Sequence, residues 1–260
     1  MFKILTCSLA FVAVAASSAA AQDNWSWHKA LPAGKTIEIK NIEGTISATP
    51  ATGDEVQVIA HKRGDTRDVD IKVEEDADGV TICTIYDDGD DCGQRGGNNR
   101  HHHNSWRDRD DGKVDFEVRV PRGVRFAGRS VSGDVEATGM TADVMASSVS
   151  GDVRVSTSGI VEASSVSGSI HASMGRMDWD DLSFSTVSGD IVLTFTQDLN
   201  ATVKFHTVSG DFDSDWPMTI TSQRHNTYGP RGGVSGTIGS GGHRLAFNTV
   251  SGDVELRKAR

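Results

Sequence analysis

The chain is short of positive charge, proline, cysteine and long apolar runs, and each shortage removes a class of protein. With 26 Lys and Arg against 36 Asp and Glu, the formal charge is -10 at pH 7. The concentrated positive field that nucleic acid and anionic lipid require is therefore missing. Five prolines and the lack of a three-residue glycine period exclude collagen, although 28 glycines in 260 residues exceed the usual share of about 7%. After the N-terminal segment, no stretch approaches the roughly 20 apolar residues of a membrane-spanning helix. A nucleophile elbow, a phosphate-binding glycine loop, a zinc-protease motif and a redox cysteine pair are also absent. No catalytic residue, cofactor or closed metal motif is assigned on the sequence.

What is present begins with an export signal. Residues 1–21 carry Lys3, an apolar run from about Ile4 to Ala16, and small residues at Ala19 and Ala21. This is the layout of a secretory signal peptide cleaved after Ala21, which predicts an extracytoplasmic mature chain in the periplasm, at the cell surface or secreted. Cys7 leaves with the signal. Cys83 and Cys92 remain, and a disulfide and two free thiols are both open to them.

Glycine placement organises the second half. The phrase VSGDV or a near variant recurs seven times, with glycines at Gly133, Gly151, Gly168, Gly189, Gly210, Gly236 and Gly252. A weaker copy, IEGTI, places Gly44 in the same pattern. Recurrence at about 16–21 residues, with one gap of 26 before Gly236, is the signature of a solenoid, whose coils bury their apolar faces only by stacking. Period-two alternation predicts strands, with Val131, Gly133, Val135 and Ala137 on one side and Ser132, Asp134 and Glu136 on the other. Second segments such as 142–147, 159–164, 181–186 and 243–249 supply another strand per coil. Glycine is expected at a corner, where it tolerates positive φ. The next residue is Asp, Ser or Thr; all three accept a bond from a backbone amide, whereas charge is not shared. Turn capping is therefore preferred to a calcium ladder.

Residues 22–125 read as an N-terminal β region and 126–260 as the repeat solenoid. In 112–121, Val114, Phe116, Val118 and Val120 share one face and Pro121 ends the strand. Residues 87–111 lack apolar periodicity and are expected to form a disordered loop. His101, His102 and His103, with Cys92, raise a metal-binding alternative, but adjacent side chains on an extended strand diverge. Two acidic groups, Asp178, Asp180 and Asp181, and Asp211, Asp213 and Asp215, keep open a polysaccharide-acting enzyme built on a solenoid. Trp179 and Trp216 beside them suit packing or sugar stacking, and Trp25 and Trp27 suit an end cover or an exposed contact.

The phrases VSGDV, VSGSI and VSGDI, with GSGGHRLAFNTVSGDVEL at 239–256, resemble the "putative adhesin" family of exported bacterial proteins of unknown function, related to the head-GIN group. The resemblance covers roughly residues 35–260. It implies an all-β, right-handed, single-stranded β-helix-like solenoid at the cell surface or in the periplasm, and it carries no catalytic residues. The expectation is a non-catalytic exported protein with an envelope-binding, adhesive or structural role. Its partner would be a cell-envelope component, a glycan or a surface protein, with no nucleic acid and no transmembrane segment.

Overall fold

In the computed structural model, which describes residues 24–67, 69–86, 92, 112–223 and 233–259, all regular structure is β. The expected signal peptide at 1–21, the histidines at 101–103 and nearly all of the 87–111 segment lie outside the described residues. Ahead of the repeats come β1 (Asn24–Ala30), β2 (Thr36–Glu43), β3 (Ile46–Pro50), β4 (Glu55–Arg63), β5 (Asp70–Glu75), β6 (Gly79–Ile85) and β7 (Lys113–Val120). The repeats supply β8 (Arg125–Ser132), β9 (Val135–Met140), β10 (Val144–Ser150), β11 (Val153–Thr157), β12 (Val161–Ser167), β13 (Ile170–Met174), β14 (Asp181–Ser185) and β15 (Ile191–Phe195). The last six are β16 (Ala201–His206), β17 (Phe212–Ser214), β18 (Met218–Gln223), β19 (Val234–Ile238), β20 (His243–Asn248) and β21 (Val254–Lys258).

These strands form two sheets. One has ten strands in the order β1-β4-β7-β3-β9-β11-β13-β15-β21-β17, the other eleven in the order β18-β19-β16-β20-β14-β12-β10-β8-β2-β6-β5. Each coil gives one strand to each sheet, and strands of neighbouring coils pair in parallel, as β10 does with β8 and β12. The sheets run without a break from the N-terminal strands into the repeats.

Coils do not stack in chain order. From one end to the other the pairs are β6–β7, β2–β3, β8–β9, β10–β11, β12–β13, β14–β15, β20–β21 and β16–β17. The first coil of the chain lies second from one end, in parallel pairing with β6 and β8 and with β7 and β9. The last coil lies second from the other end, inserted between β14 and β16 and between β15 and β17. Antiparallel strands finish both sheets at one end, β1 and β4 in one and β5 in the other, and the eleven-stranded sheet at the far end, through β19 and β18; β17 is the last strand of the ten-stranded sheet there. Lys29 on β1 pairs with Glu75 on β5, joining the two sheets at that end. Capping of this kind protects the outer coils from open-edge pairing.

The core is the narrow layer between the sheets. Its middle coils are filled by small side chains, including Ala137, Ala146, Ala163 and Ala172, while Phe184, Phe195, Phe205 and Phe247 widen the C-terminal end. Val114, Phe116, Val118 and Val120 are all buried, as the alternation predicts.

Two expectations are corrected. Val131 does not share the inner face with Val135: it is 49% exposed, and Ser130 is buried in its place. The corner glycine turns the chain and shifts the parity, so alternation cannot be carried through it. Gly236 is not a corner glycine. It lies inside β19, which pairs antiparallel with β16 and β18, and it is not among the positive-φ residues.

Candidate functional site

The repeated phrase builds one edge of the stack, where the chain leaves the eleven-stranded sheet and enters the ten-stranded one. In spatial order its glycines are Gly44, Gly133, Gly151, Gly168, Gly189, Gly252 and Gly210, with φ between 115° and 157°. A Cβ on any of them would lie 2.0–2.3 Å from the carbonyl oxygen of the coil beneath, Val114 under Gly44 and the preceding glycine in each later case. Glycine is thus required by backbone contact between coils as well as by conformation. Gly44 joins the series as expected.

The following residue links the same coils. Asp134 Oδ1 accepts from the amide of Asp152 at 2.8 Å, and Asp152 Oδ1 from that of Ser169 at 2.9 Å. Ser169 Oγ accepts from Asp190 N at 3.2 Å, Asp190 Oδ1 from Asp253 N at 2.9 Å, and Asp253 Oδ1 from Asp211 N at 2.8 Å. Asp115 does the same for Thr45 at 2.8 Å. Asp and Ser thus both use the acceptor role, and the amide belongs to the adjacent coil rather than to the residue's own turn.

The phrase has a further member, the residue ahead of its valine. The residue before each valine is Ser130, Ser148, Ser165, Thr186, Thr249 or Thr207, with Asn41 in the first coil. Ser148, Ser165 and Thr186 donate to the carbonyls of Gly133, Gly151 and Gly168 at 2.9, 3.1 and 3.2 Å. Asn41 Nδ2 donates to Val114 and Gly44 carbonyls at 2.7 and 3.0 Å. The repeated unit is therefore Ser/Thr-Val-Ser-Gly-Asp, and its hydroxyl was visible as a repeat but had no role until the coils were stacked.

Those internal bonds leave the aliphatic member facing outward. Ile42, Val131, Val149, Val166, Val187, Val250 and Val208 form a continuous row, each 44–49% exposed. Beside its central part runs a shallow groove whose outer wall is Ser147, Ser164, Ser185 and Asn248.

The acidic groups are not arranged for catalysis. Arg176 donates to Asp178 at 2.7 Å, Arg244 pairs with Asp181 at 2.5 Å, and Arg257 reaches Asp213 at 2.8 Å and Asp215 at 3.3 Å. The hydrogen bond from Arg176 holds the Asp178 carboxyl below its ordinary range, the wrong direction for a general acid. Trp179 is buried, its ring 5.9 Å from Phe195 and 5.3 Å from His243, and Trp216 meets Phe195 edge-on at 5.9 Å. Both indoles close the wide end of the core rather than offering a stacking face. Trp25 and Trp27 are half-buried against the core at the other end. Among the described residues no group of three or more His, Cys, Asp or Glu could hold a metal ion, and no helix is long and apolar enough to cross a membrane.

Cys83 and Cys92 are joined in a disulfide, with Cα atoms 5.5 Å apart. The bridge fastens Cys92 to β6, and Lys40 Nζ on β2 donates to the Cys92 carbonyl at 2.9 Å, tying it to the neighbouring coil as well.

The profile of the family described as Toastrack DUF4097 matches residues 29–257. Two solved structures are similar to this chain. A "putative cell adhesion protein" from Clostridium sporogenes ATCC 15579 is 9% identical, with 91% of this chain and 100% of that chain covered and a TM-score of 0.43. A "putative adhesin" from Bacteroides fragilis NCTC 9343 is 13% identical, with 91% and 98% covered and a TM-score of 0.39. No curated protein matches.

Proposed function

We propose that this chain, which belongs to the Toastrack DUF4097 family, is a non-catalytic, exported, right-handed β-solenoid that presents a rigid surface for binding, adhesion or structural support at the cell envelope. One observation carries the reading: the polar side chains of the repeat are consumed in holding coils together. Asp134, Asp152, Asp190 and Asp253 each bond an amide of the next coil, and Ser148, Ser165 and Thr186 each a carbonyl. Asp178, Asp181, Asp213 and Asp215 are paired with arginines. A stack so connected is suited to holding a shape, not to moving protons.

Export is supported by the disulfide, a bond that persists in oxidising compartments, and by the N-terminal sequence. Right-handed winding is supported by the strong preference of parallel strand crossovers for that hand. The partner class is an envelope component, a glycan or a surface protein. Immobilised protein exposed to a solubilised envelope fraction, beside a glycan array, tests the role; retention of a defined component is expected. Failure to retain any would count against it.

A further inference from the structure

We propose that the exposed row from Ile42 to Val208 is a homodimer interface, on which a second copy of the chain packs its own row with both stacks pointing the same way. The inference concerns the fold's surface and requires neither an exported location nor an envelope partner.

Seven half-exposed aliphatic side chains in one unbroken line make a patch of several hundred Å², at which soluble proteins usually have a partner. Each valine rung also offers the serine after it, such as Ser150, and the outward residue before the Ser or Thr that precedes it, such as Ser147; the Ile42 rung has Glu43 and Lys40 in those places. Three residues on seven rungs fall within the roughly 20–30 per side of a standard interface.

Spacing identifies the partner. The rungs repeat at the separation of paired strands, about 4.8 Å. An α-helix presents side chains every 5.4 Å or so per turn, and an extended peptide roughly every 6.6 Å on one face. Either loses register with the row within a few rungs. A second copy repeats at the same interval by construction and keeps its contacts along the whole length.

Charge sets the direction. On one side of the row stand the corner residues Asp134, Asp152, Asp190, Asp253 and Asp211. On the other, joined rung to rung by strand register, stand Arg129, Ser147, Ser164, Ser185, Asn248 and His206, none of them acidic; Lys40 is in register with Arg129, and the one carboxylate there, Glu38, is paired with both cations. A two-fold axis perpendicular to the stacks would set one aspartate side against the other. An axis parallel to them sets each aspartate side against the side without aspartates, bringing Arg129 opposite Asp134 and His206 opposite Asp211 of the second copy. Like charges are thereby separated, and specificity follows from complementarity.

Sedimentation velocity of the purified protein from about 1 to 100 µM, a range that brackets micromolar affinity, tests the proposal. A concentration-dependent dimer is expected. The double substitution Val166→Asp with Val187→Asp should weaken it at least about 100-fold, with an unchanged circular dichroism spectrum. Ile220→Asp, at an exposed site off the row, should leave it intact. Oxidation of single variants Val131→Cys, Val166→Cys and Val208→Cys should yield a disulfide-linked dimer from each. A monomer throughout the range, or an aspartate variant that still dimerises, overturns the interface. Cross-linking only at Val166 overturns the parallel arrangement.

Discussion

At a stacked corner, replacing one glycine hydrogen by a methyl group turns a contact into a collision. At Gly189 that methyl would lie 2.3 Å from the Gly168 carbonyl oxygen, at a φ of 139°. Gly189→Ala should therefore cost about 3 kcal/mol or more, a sum of strain and displaced backbone. Gly53→Ala, with nothing within 4 Å, should stay within about 0.5 kcal/mol, and thermal melts of the two variants compare them directly. Asp190 separates hydrogen bonding from charge. Asp190→Asn keeps an oxygen for the Asp253 amide, whereas Asp190→Ala leaves that amide without its acceptor. Urea midpoints should show a loss near 1 kcal/mol for alanine and much less for asparagine. A larger loss with asparagine would mean that the charge itself matters. Acid sensitivity has a named contribution too. Asp178 is held low chiefly by the hydrogen bond from Arg176, and Asp198 by that from Lys258. A depressed folded pKa gives stability that is fully present above the ordinary carboxylate range, near pH 4, and lost as pH falls through the lower folded value. Melting temperatures measured from pH 7 to 2 should fall below about pH 4, and Asp178→Asn should remove a small part of that fall. Both carboxylates are at the surface, so each part is modest.

Strands and corners differ in how far local sequence specifies them. Period-two alternation was enough to locate β7, β10, β12, β14 and β20, because each buries one face against the core. It failed across the corner, where Val131 points outward. Local letters also misplace VSGTI at 234–238: the phrase is intact, yet it forms an antiparallel strand between β16 and β18. Its distinguishing mark is Gly233 where true corners have Ser, Thr or Asn, so no hydroxyl or amide is available for the neighbouring carbonyl. The disulfide acts at this scale as well. Cys83 lies on β6, in the outermost coil, with β5 beyond it. Cys92→Ser should raise amide exchange in β5 and β6 and leave β12 and β13 unchanged, because distant coils do not depend on that closure. Uniform acceleration throughout the stack would contradict such local action.

For the whole molecule, the eight-coil stack was legible as a solenoid, but the order of its coils was not. Every corner carries nearly the same residues, so nothing near Gly252 announces that its coil lies between those of Gly189 and Gly210. That choice is made by strand pairing between distant segments, such as Leu182 with Leu245 and Val203 with Leu245. Deleting residues 243–260 therefore removes more than a terminal turn, since it parts β14 from β16 and β15 from β17. The shortened chain should lose cooperative melting at its C-terminal end and expose the Phe184 and Phe205 surfaces, measurable by dye binding and limited proteolysis. A linear array ordinarily unravels from its ends, because its last repeat has only one neighbour. Here the coils at the two extremities, 79–120 and 201–214, are interior stretches of chain, while β21, the last described strand, is clasped between β15 and β17. Proteolytic removal of β21 must first draw it out from between β15 and β17, so this coil is lost only by parting its two neighbours.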